Sequence, residues 1–511
     1  MRSGRRSGSG GAALLAVVVL TAGCGSRLPR AELERTLGSP VAGRAAPAGP
    51  SSGGPVRGEA PPPTAPAGRP DLRAAGGAAA GHPPAHRPAT DGTLPDGPRP
   101  LEVSSAASGP TVTGAGAGGP AGRPEAAGSP RAPGTAPEGK GGGPAGGRPD
   151  PVVIGSVGTL SGPVGAAMQG GPLAVRVWAR ARNAAGGLGG RPVEVIVADD
   201  GGDPFRYQAI LRELVEHHGV VAFVSNMAAF TLASGAAYLE AKRVPVIGGD
   251  LTSAMWHSSP MFFPQAGGEQ ALVWGMVANA AATGRHRFGS LACQESTGCT
   301  NAERYWFDEG WVAQAGMEPA YRARISIAQP DYTAECLTAQ RAGVEALAVV
   351  ADGATARRVA TSCARQGYHP LFSIAGPAVD ERLAGAGNDV LDGAVGAVAT
   401  FPYVLAGTPA TDEFHAALAR FGTGEPLSAA TAQGWVSAKL FERAAAGDGP
   451  VTPERILAGL WSLRGENLGG LTAPRTFVRE GKNPDLACFF VMKLANRGWT
   501  APQGNALSCR P

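Results

Sequence analysis

Short apolar runs alternate with amphipathic stretches from Pro151 to the end of the chain. Short apolar runs are typical of buried strands, and apolar residues three or four positions apart are typical of helices. The alternation therefore predicts parallel strand–helix–strand units. The predicted strands are Val152–Val157, Val193–Ala198, Val220–Val224, Val244–Ile247, Phe288–Ala292 and Ala346–Val350, and the predicted helices lie within Ala166–Ala184, Asp203–Val215, Phe230–Lys242 and Ala354–Gln366.

The strand–helix pattern restarts near Phe288, so the sequence predicts two successive α/β lobes that face each other. In open α/β sheets, ligands bind beyond the carboxyl ends of the strands. A binding site is therefore predicted on the loops that follow the strands. These loops are Gly158–Gly165, Ser225–Thr231, Gly248–Ser253 and Ala351–Thr355.

Residues 1–150 contain no Phe, Trp or Tyr. A segment without large apolar side chains cannot bury enough surface to offset the entropy lost when its backbone is ordered. From residue 25 to residue 150 the chain is dominated by Pro, Gly and Ala, which is typical of a flexible linker. The foldable part is therefore predicted to begin near Pro151.

The first 24 residues have the features of an export signal. Three arginines precede the apolar stretch Ala12–Ala22, which is too short to span a bilayer as a helix. Ala22-Gly23 directly before Cys24 resembles a bacterial lipoprotein box. The resemblance implies that Cys24 receives a diacylglycerol, becomes the mature N-terminus and anchors the protein to the outer face of the cytoplasmic membrane.

An even number of cysteines remains once Cys24 is set aside, which in an exported chain predicts disulfides. Proximity along the chain favours the pairs Cys293–Cys299, Cys336–Cys363 and Cys488–Cys509. Zinc binding is disfavoured, because the sequence has no Cys-x-x-Cys motif and no histidine at ligand spacing.

The formal net charge of +4 is small for 511 residues. The foldable part has no basic stripe with interleaved aromatic residues, so nucleic-acid binding is not predicted. It also lacks the Gly-x-Ser-x-Gly, His-Glu-x-x-His and Gly-Lys-Ser/Thr motifs of common enzymes. We therefore predict a protein that is not an enzyme and needs no cofactor or metal.

Several segments in order resemble the branched-chain amino-acid-binding family, the type I periplasmic binding proteins of ABC importers. They are Gly158–Pro163, Asn183–Arg191, Asp199-Asp200, Val244–Ile247 and Asp331–Ala334. The resemblance implies two doubly wound parallel sheets joined by three hinge crossovers. It places lobe 1 at 151–265 plus 398–485 and lobe 2 at 266–397 plus 486–511. The chain should return to lobe 1 near Phe401 and finish in lobe 2 with a strand at Phe489–Met492.

The same resemblance implies where a ligand is held. In this family the first lobe grips a carboxylate with backbone N–H groups and hydroxyls, and Thr252 falls at a hydroxyl position. Ala229 stands where a serine is common, and Asp250 is a departure that would repel a carboxylate. Asp352 lies near the place of an aromatic residue, whereas the acid expected near Ala375-Gly376 is absent. The candidate ligand-binding residues are Ser161, Met168, Ala229, Phe230, Thr231, Asp250, Thr252, Ser253 and Asp352.

The resemblance implies a monomeric receptor that captures a small, amino-acid-like or other polar solute by lobe closure. Such a receptor delivers the solute to an ABC permease and its ATPase. Two alternatives stay open at the sequence level, namely a ligand sensor that signals to a membrane partner and a hydrolase. Fold does not decide between them.

Overall fold

The protein is described here by a computed structural model that covers residues 149–385 and 389–511. The predicted export signal, Cys24 and residues 25–148 of the predicted linker lie outside the described residues. The described part contains two β-sheets with helices packed on them, which confirms the predicted two-lobed α/β fold.

The first sheet is entirely parallel and has the strand order β2-β1-β3-β4-β5. Four of its strands overlap the predicted apolar runs. The fifth, β5, was not predicted and is a short strand at the edge of the sheet. The strands are β1 (Val152–Gly158), β2 (Val193–Asp199), β3 (Ala222–Asn226), β4 (Val246–Gly249) and β5 (Phe262–Phe263). In β1, β3 and β4 nearly every residue is buried, as expected for strands covered on both faces.

The second sheet has the order β12-β11-β10-β9-β8-β6-β7, and β13 pairs with β11. Strands β6 to β10 are parallel, whereas β11 is antiparallel to β10, β12 and β13. The predicted strand at Phe489–Met492 lies within β11. The strands are β6 (Arg287–Cys293), β7 (Glu318–Ile325), β8 (Ala346–Val350), β9 (Leu371–Ala375), β10 (Val395–Val398), β11 (Cys488–Ala495), β12 (Gly498–Thr500) and β13 (Ser508–Cys509).

Helices connect and cover these strands. They are α1 (Gly165–Met168), α2 (Gly170–Ala184), α3 (Pro204–Glu216), α4 (Leu232–Lys242), α5 (Glu269–Ala281), α6 (Thr297–Glu303), α7 (Trp311–Gln314), α8 (Thr333–Arg341), α9 (Gly353–Arg365), α10 (Pro409–Phe421), α11 (Ala429–Ala444) and α12 (Pro453–Ser462). The helix predicted across Ala166–Ala184 is divided at Gln169 into α1 and α2. Pro172 lacks an N–H to donate to the carbonyl of Met168, so it is tolerated in the first turn of a new helix.

Two helix boundaries follow signals that are visible in the sequence. Asp203 precedes Pro204 at the start of α3, and its carboxylate accepts hydrogen bonds from the N–H groups of Phe205 (2.8 Å) and Arg206 (3.3 Å). After α2 the chain passes through Gly187 with φ of +82°, a conformation that glycine adopts without steric cost.

The chain passes between the two sheets more than once. It leaves the first sheet after β5, builds β6 to β10, and then returns. Thr400 pairs with Thr472 in an isolated bridge, and α11 packs against α2, β3 and β4 of the first sheet. The chain then enters the second sheet again with β11. The lobe boundaries that put this return near Phe401 stay a prediction.

The structure contains the three disulfides that chain proximity favours. Cys293–Cys299 links the end of β6 to α6, Cys336–Cys363 links α8 to α9, and Cys488–Cys509 links β11 to β13. All three therefore fasten elements of the second sheet and its helices.

Candidate ligand-binding cleft

The carboxyl ends of strands from both sheets converge on one cavity. Its volume is about 900 Å³, counting the solvent at its mouth. From the side of the first sheet it is lined by the segments after β1, β3 and β4. From the second sheet it is lined by the segments that follow β6, β8 and β9, and by one side of α5. The placement agrees with the general rule for open α/β sheets.

The wall of this cavity is mostly hydrocarbon. Its apolar side chains include Met168, Phe230, Leu272, Met276 and Val350. The polar side chains that line it are Thr252, Glu269, Ser296 and Asp352, and among the described residues no Lys, Arg or His does so. Because burial of apolar surface contributes about 25 cal/mol per Å², such a wall favours a solute whose own surface is mostly apolar.

Five of the predicted site residues line the cavity: Met168, Ala229, Phe230, Thr252 and Asp352. Met168 belongs to α1, and Ala229 and Phe230 form the loop between β3 and α4. Asp352 is the N-cap of α9, where its carboxylate accepts hydrogen bonds from the N–H (3.1 Å) and the hydroxyl (2.6 Å) of Thr355. Both of its oxygens are therefore already engaged in holding that helix.

Two predicted residues, Ser161 and Ser253, do not line the cavity. Ser161 is exposed, and its hydroxyl is hydrogen-bonded to the carboxylate of Asp199. Ser253 caps the 3-10 helix Ala254–His257, accepting a hydrogen bond from the N–H of Met255 at 3.3 Å. Their side chains thus shape the loops beside the cavity.

Thr231 and Asp250 are buried beneath the cavity wall rather than exposed on it. The hydroxyl of Thr231 donates to the carboxylate of Asp200 at 2.6 Å. Asp250 accepts hydrogen bonds from the N–H (2.8 Å) and the hydroxyl (2.7 Å) of Thr252. Burial raises the pKa of Asp250, and those two hydrogen bonds oppose the rise. Asp250 thereby orients Thr252, whose hydroxyl proton is used in this hydrogen bond.

Glu269 is a polar residue of the cavity that the sequence analysis did not single out. It begins α5, and its Oε2 accepts a hydrogen bond from the amide of Asn301 at 3.1 Å. Its Oε1 is shielded from solvent and has no hydrogen-bond partner within the described residues. Burial raises the pKa of Glu269 to about 8, reinforced by the negative charge of Asp485.

Glu269 lies next to a segment that joins the two sheets. Asp485, which precedes β11, accepts hydrogen bonds from the N–H groups of Gly268 (2.7 Å) and Gln270 (3.3 Å) at the start of α5. His257, from the 3-10 helix after β4, lies 3.5 Å from the same carboxylate. Burial lowers the pKa of His257, although Asp485 opposes the shift. The cavity therefore borders the contacts of Asp485, in the segment before β11, with the segment that runs from β4 to the start of α5.

A second cavity of about 700 Å³ adjoins the first and shares Ala167, Asp352 and Pro377 with it. It brings Arg357, Arg382 and Asp380 to the rim. Arg382 donates to Asp380 at 2.8 Å and reaches the carbonyl of Ala166 at 3.4 Å. The basic groups therefore lie at the rim, beside acidic ones, and outside the main cavity.

Within residues 149–385 and 389–511, no cluster of His, Cys, Asp and Glu has the arrangement of a metal site. In the same residues no helix combines the length and the apolar character that crossing a membrane requires.

Residues 151–498 match a family model described as periplasmic binding protein. With its paired α/β sheets and the cavity at their strand ends, the chain belongs to the periplasmic binding protein family, type 1. Membership in this family implies a location outside the cytoplasm. Comparison with curated proteins gives no significant match.

Solved structures share the fold. A possible leucine/isoleucine/valine-binding protein from Rhodopirellula baltica SH 1 is 19% identical with a TM-score of 0.58, covering 69% of this chain and 96% of that protein. A fatty acid ABC transporter substrate-binding protein from Thermomonospora curvata is 18% identical with a TM-score of 0.58, covering 69% and 91%. A solute-binding protein from R. palustris, solved with benzoate, is 14% identical with a TM-score of 0.57, covering 70% and 98%.

Proposed function

We propose that this protein is an extracytoplasmic receptor that captures a small, mostly apolar solute by closure of its two lobes and delivers it to an ABC permease. The observation that carries the proposal is the cavity at the facing strand ends, whose wall is almost entirely hydrocarbon. The sequence-based hypothesis of an amino-acid-like or other polar solute stays a prediction, and this wall favours a less polar molecule.

The proposed lobes keep the boundaries expected from the sequence, 151–265 plus 398–485 and 266–397 plus 486–511. Three observations support these boundaries. Strands β1 to β5 share one sheet, α11 packs on β3 and β4 of that sheet, and β6 to β13 belong to the other sheet. Solved relatives described as an ABC transporter or its substrate-binding protein support a permease and its ATPase as partners. We propose that the receptor acts as a monomer.

Native mass spectrometry of the exported full-length chain in mild detergent tests the proposal. We expect a small bound molecule that is released when the protein unfolds. In a thermal-shift screen of aliphatic, aromatic and amino-acid solutes, a ligand at 100 times its Kd stabilises the fold by about 2.7 kcal/mol. For a folded part of roughly 360 residues, this corresponds to a rise in Tm of about 3–4 °C. Absence of both a bound mass and any Tm shift would contradict a receptor function.

Cys24→Ala is expected to move the protein from the membrane fraction to the soluble fraction. The physical reason is that the substitution removes the thiol to which the proposed lipid is attached, and an acyl-anchored terminus is what holds the chain to the bilayer. Fractionation followed by immunoblotting measures the effect. Ser26→Ala, which leaves the cysteine in place, serves as the matched control. Unchanged membrane association of the Cys24 variant would argue against the anchor.

A further inference from the structure

The polar groups of the main cavity are mostly acceptors of hydrogen bonds. The hydroxyl proton of Thr252 is already donated to Asp250 at 2.7 Å, so its oxygen is left as an acceptor. Asp352 presents a carboxylate from the opposite sheet. Glu269 offers a carboxyl whose Oε1 has no hydrogen-bond partner within the described residues. A buried polar atom without a partner is costly, and a donor on a bound solute would relieve that cost.

The charges around the cavity favour the same kind of solute. Glu269 and Asp352 are the only ionisable side chains that line the main cavity among the described residues. The adjoining cavity is lined by Arg357 and Arg382 together with Asp352 and Asp380, and Arg382 forms an ion pair with Asp380. An anionic head group inside the main cavity would therefore find no basic side chain to neutralise it, whereas an ammonium group would meet Asp352 and, once Glu269 has lost its proton, the carboxylate of Glu269.

We infer that the solute is a hydrophobic amine, with its hydrocarbon body against the wall formed by Met168, Phe230 and Leu272 and its ammonium group hydrogen-bonded to the carboxylate of Glu269. The inference rests on the proposed function and defines its ligand class. The family resemblance places an acid for the amino group near Ala375-Gly376, and this chain has none there. In this chain the acid is Glu269, at the start of α5.

Binding of such an amine is coupled to loss of a proton. In the free protein Glu269 keeps its proton up to about pH 8. An ammonium group requires the ionised carboxylate, so the proton is released to solvent when the amine binds. The affinity therefore rises with pH, approaching about tenfold per unit below pH 8 and levelling above it while the amine stays protonated.

Other titratable groups near Glu269 do not produce this dependence. Asp485 raises the pKa of Glu269 and Arg304 lowers it. Burial and the charge of Glu269 raise the pKa of Tyr305, so its phenol stays neutral. Burial lowers the pKa of His257, which lies near Asp485 and Arg475, so this imidazole does not gain a proton within its ordinary titration range. Measurements between pH 6.5 and 9 therefore isolate Glu269.

Isothermal titration of the full-length chain with 2-phenylethylamine, 2-phenylethanol, 3-phenylpropionate and leucine tests the inference. We expect the amine to bind most tightly, with release of nearly one proton at pH 6.5, measured in two buffers of different ionisation enthalpy. Glu269→Gln keeps the shape of the side chain and its acceptor for Asn301. It is expected to weaken amine binding by about 10- to 100-fold and to abolish the proton release. Glu454→Gln, which removes a charge from the first turn of α12, is the matched control.

Tighter binding of the carboxylate, the alcohol or leucine would overturn the amine assignment while leaving the receptor function intact. Equal amine affinity in the Glu269→Gln variant would overturn it as well. If none of the four probes binds, the amine class is wrong, and the receptor function is then judged by native mass spectrometry alone.

Discussion

Ala229→Trp is expected to weaken solute binding by about 100-fold while leaving the fold intact. Ala229 lines the cavity at the tip of the loop after β3. Behind it lies a filled cluster of Met168, Met227 and Ala430, so the indole can extend only into the cavity. A solute displaced from about 110 Å² of apolar contact loses about 2.7 kcal/mol at ~25 cal/mol per Å². That loss corresponds to a decrease in affinity of about 100-fold.

Titration calorimetry with the solute identified by mass spectrometry, or with the best compound from the thermal-shift screen, measures the loss. Ala184→Trp is the matched control, because Ala184 is exposed at the end of α2 and does not line the cavity. Circular dichroism should show the same fold for both variants. If Ala229→Trp binds the solute as tightly as the unaltered protein, the cavity is not the binding site.

Gly434→Ala is expected to produce a large loss of stability. Gly434 lies in α11 where this helix crosses α2, and a Cβ there would stand 2.2 Å from the carbonyl oxygen of Gly171 and 2.7 Å from its Cα. Real atoms do not approach so closely, so the two helices must separate. Alanine gains about 1 kcal/mol in helix propensity over glycine. Overpacking against rigid backbone costs roughly 3 kcal/mol or more, so the net effect is destabilising.

Urea denaturation of the full-length chain, followed by circular dichroism and by tryptophan fluorescence, measures the change in the free energy of unfolding. Gly498→Ala is the control, since a Cβ at that position has no heavy atom within 4 Å. The control is expected to unfold within about 0.5 kcal/mol of the unaltered protein. An equal midpoint for Gly434→Ala would show that α2 and α11 are not in backbone contact.

Much of the fold is readable from local sequence because each signal has a local cause. Apolar runs such as Val152–Val157 became buried strands, since only the interior of a sheet accommodates them. Asp203-Pro204 began a helix through its own carboxylate. The helix α5 gave no such signal, because it is buried on nearly all sides and therefore lacks an amphipathic period. Glu269 at its start was missed for that reason.

For the candidate site, too, some features could be predicted from the sequence and others could not. Of the loop positions that the sequence suggests after the strands, Met168, Ala229 and Thr252 line the cavity. The direction of each side chain was not predictable. Thr231 and Asp250 look like cavity residues in the sequence, yet inside the protein the hydroxyl of Thr231 is hydrogen-bonded to Asp200 and Oδ1 of Asp250 is hydrogen-bonded to Thr252. For Glu269, the only local signal in the sequence is the Gly267-Gly268 pair directly before it, which marks a loop before a helix.

By itself the sequence indicated where most strands and several helices form, which cysteine pairings are favoured, and which end of the sheets carries the loops. Those features depend on side-chain polarity, capping groups and short distances along the chain. Only the tertiary structure decided which loop side chains line the cavity, and that Glu269 lies there with an oxygen that has no hydrogen-bond partner in the described part of the chain. The surroundings of Glu269 are formed by segments that are remote in sequence, namely α6 and the segment that contains Asp485. Burial by such distant neighbours sets the polarity of the site, and it cannot be read from local sequence.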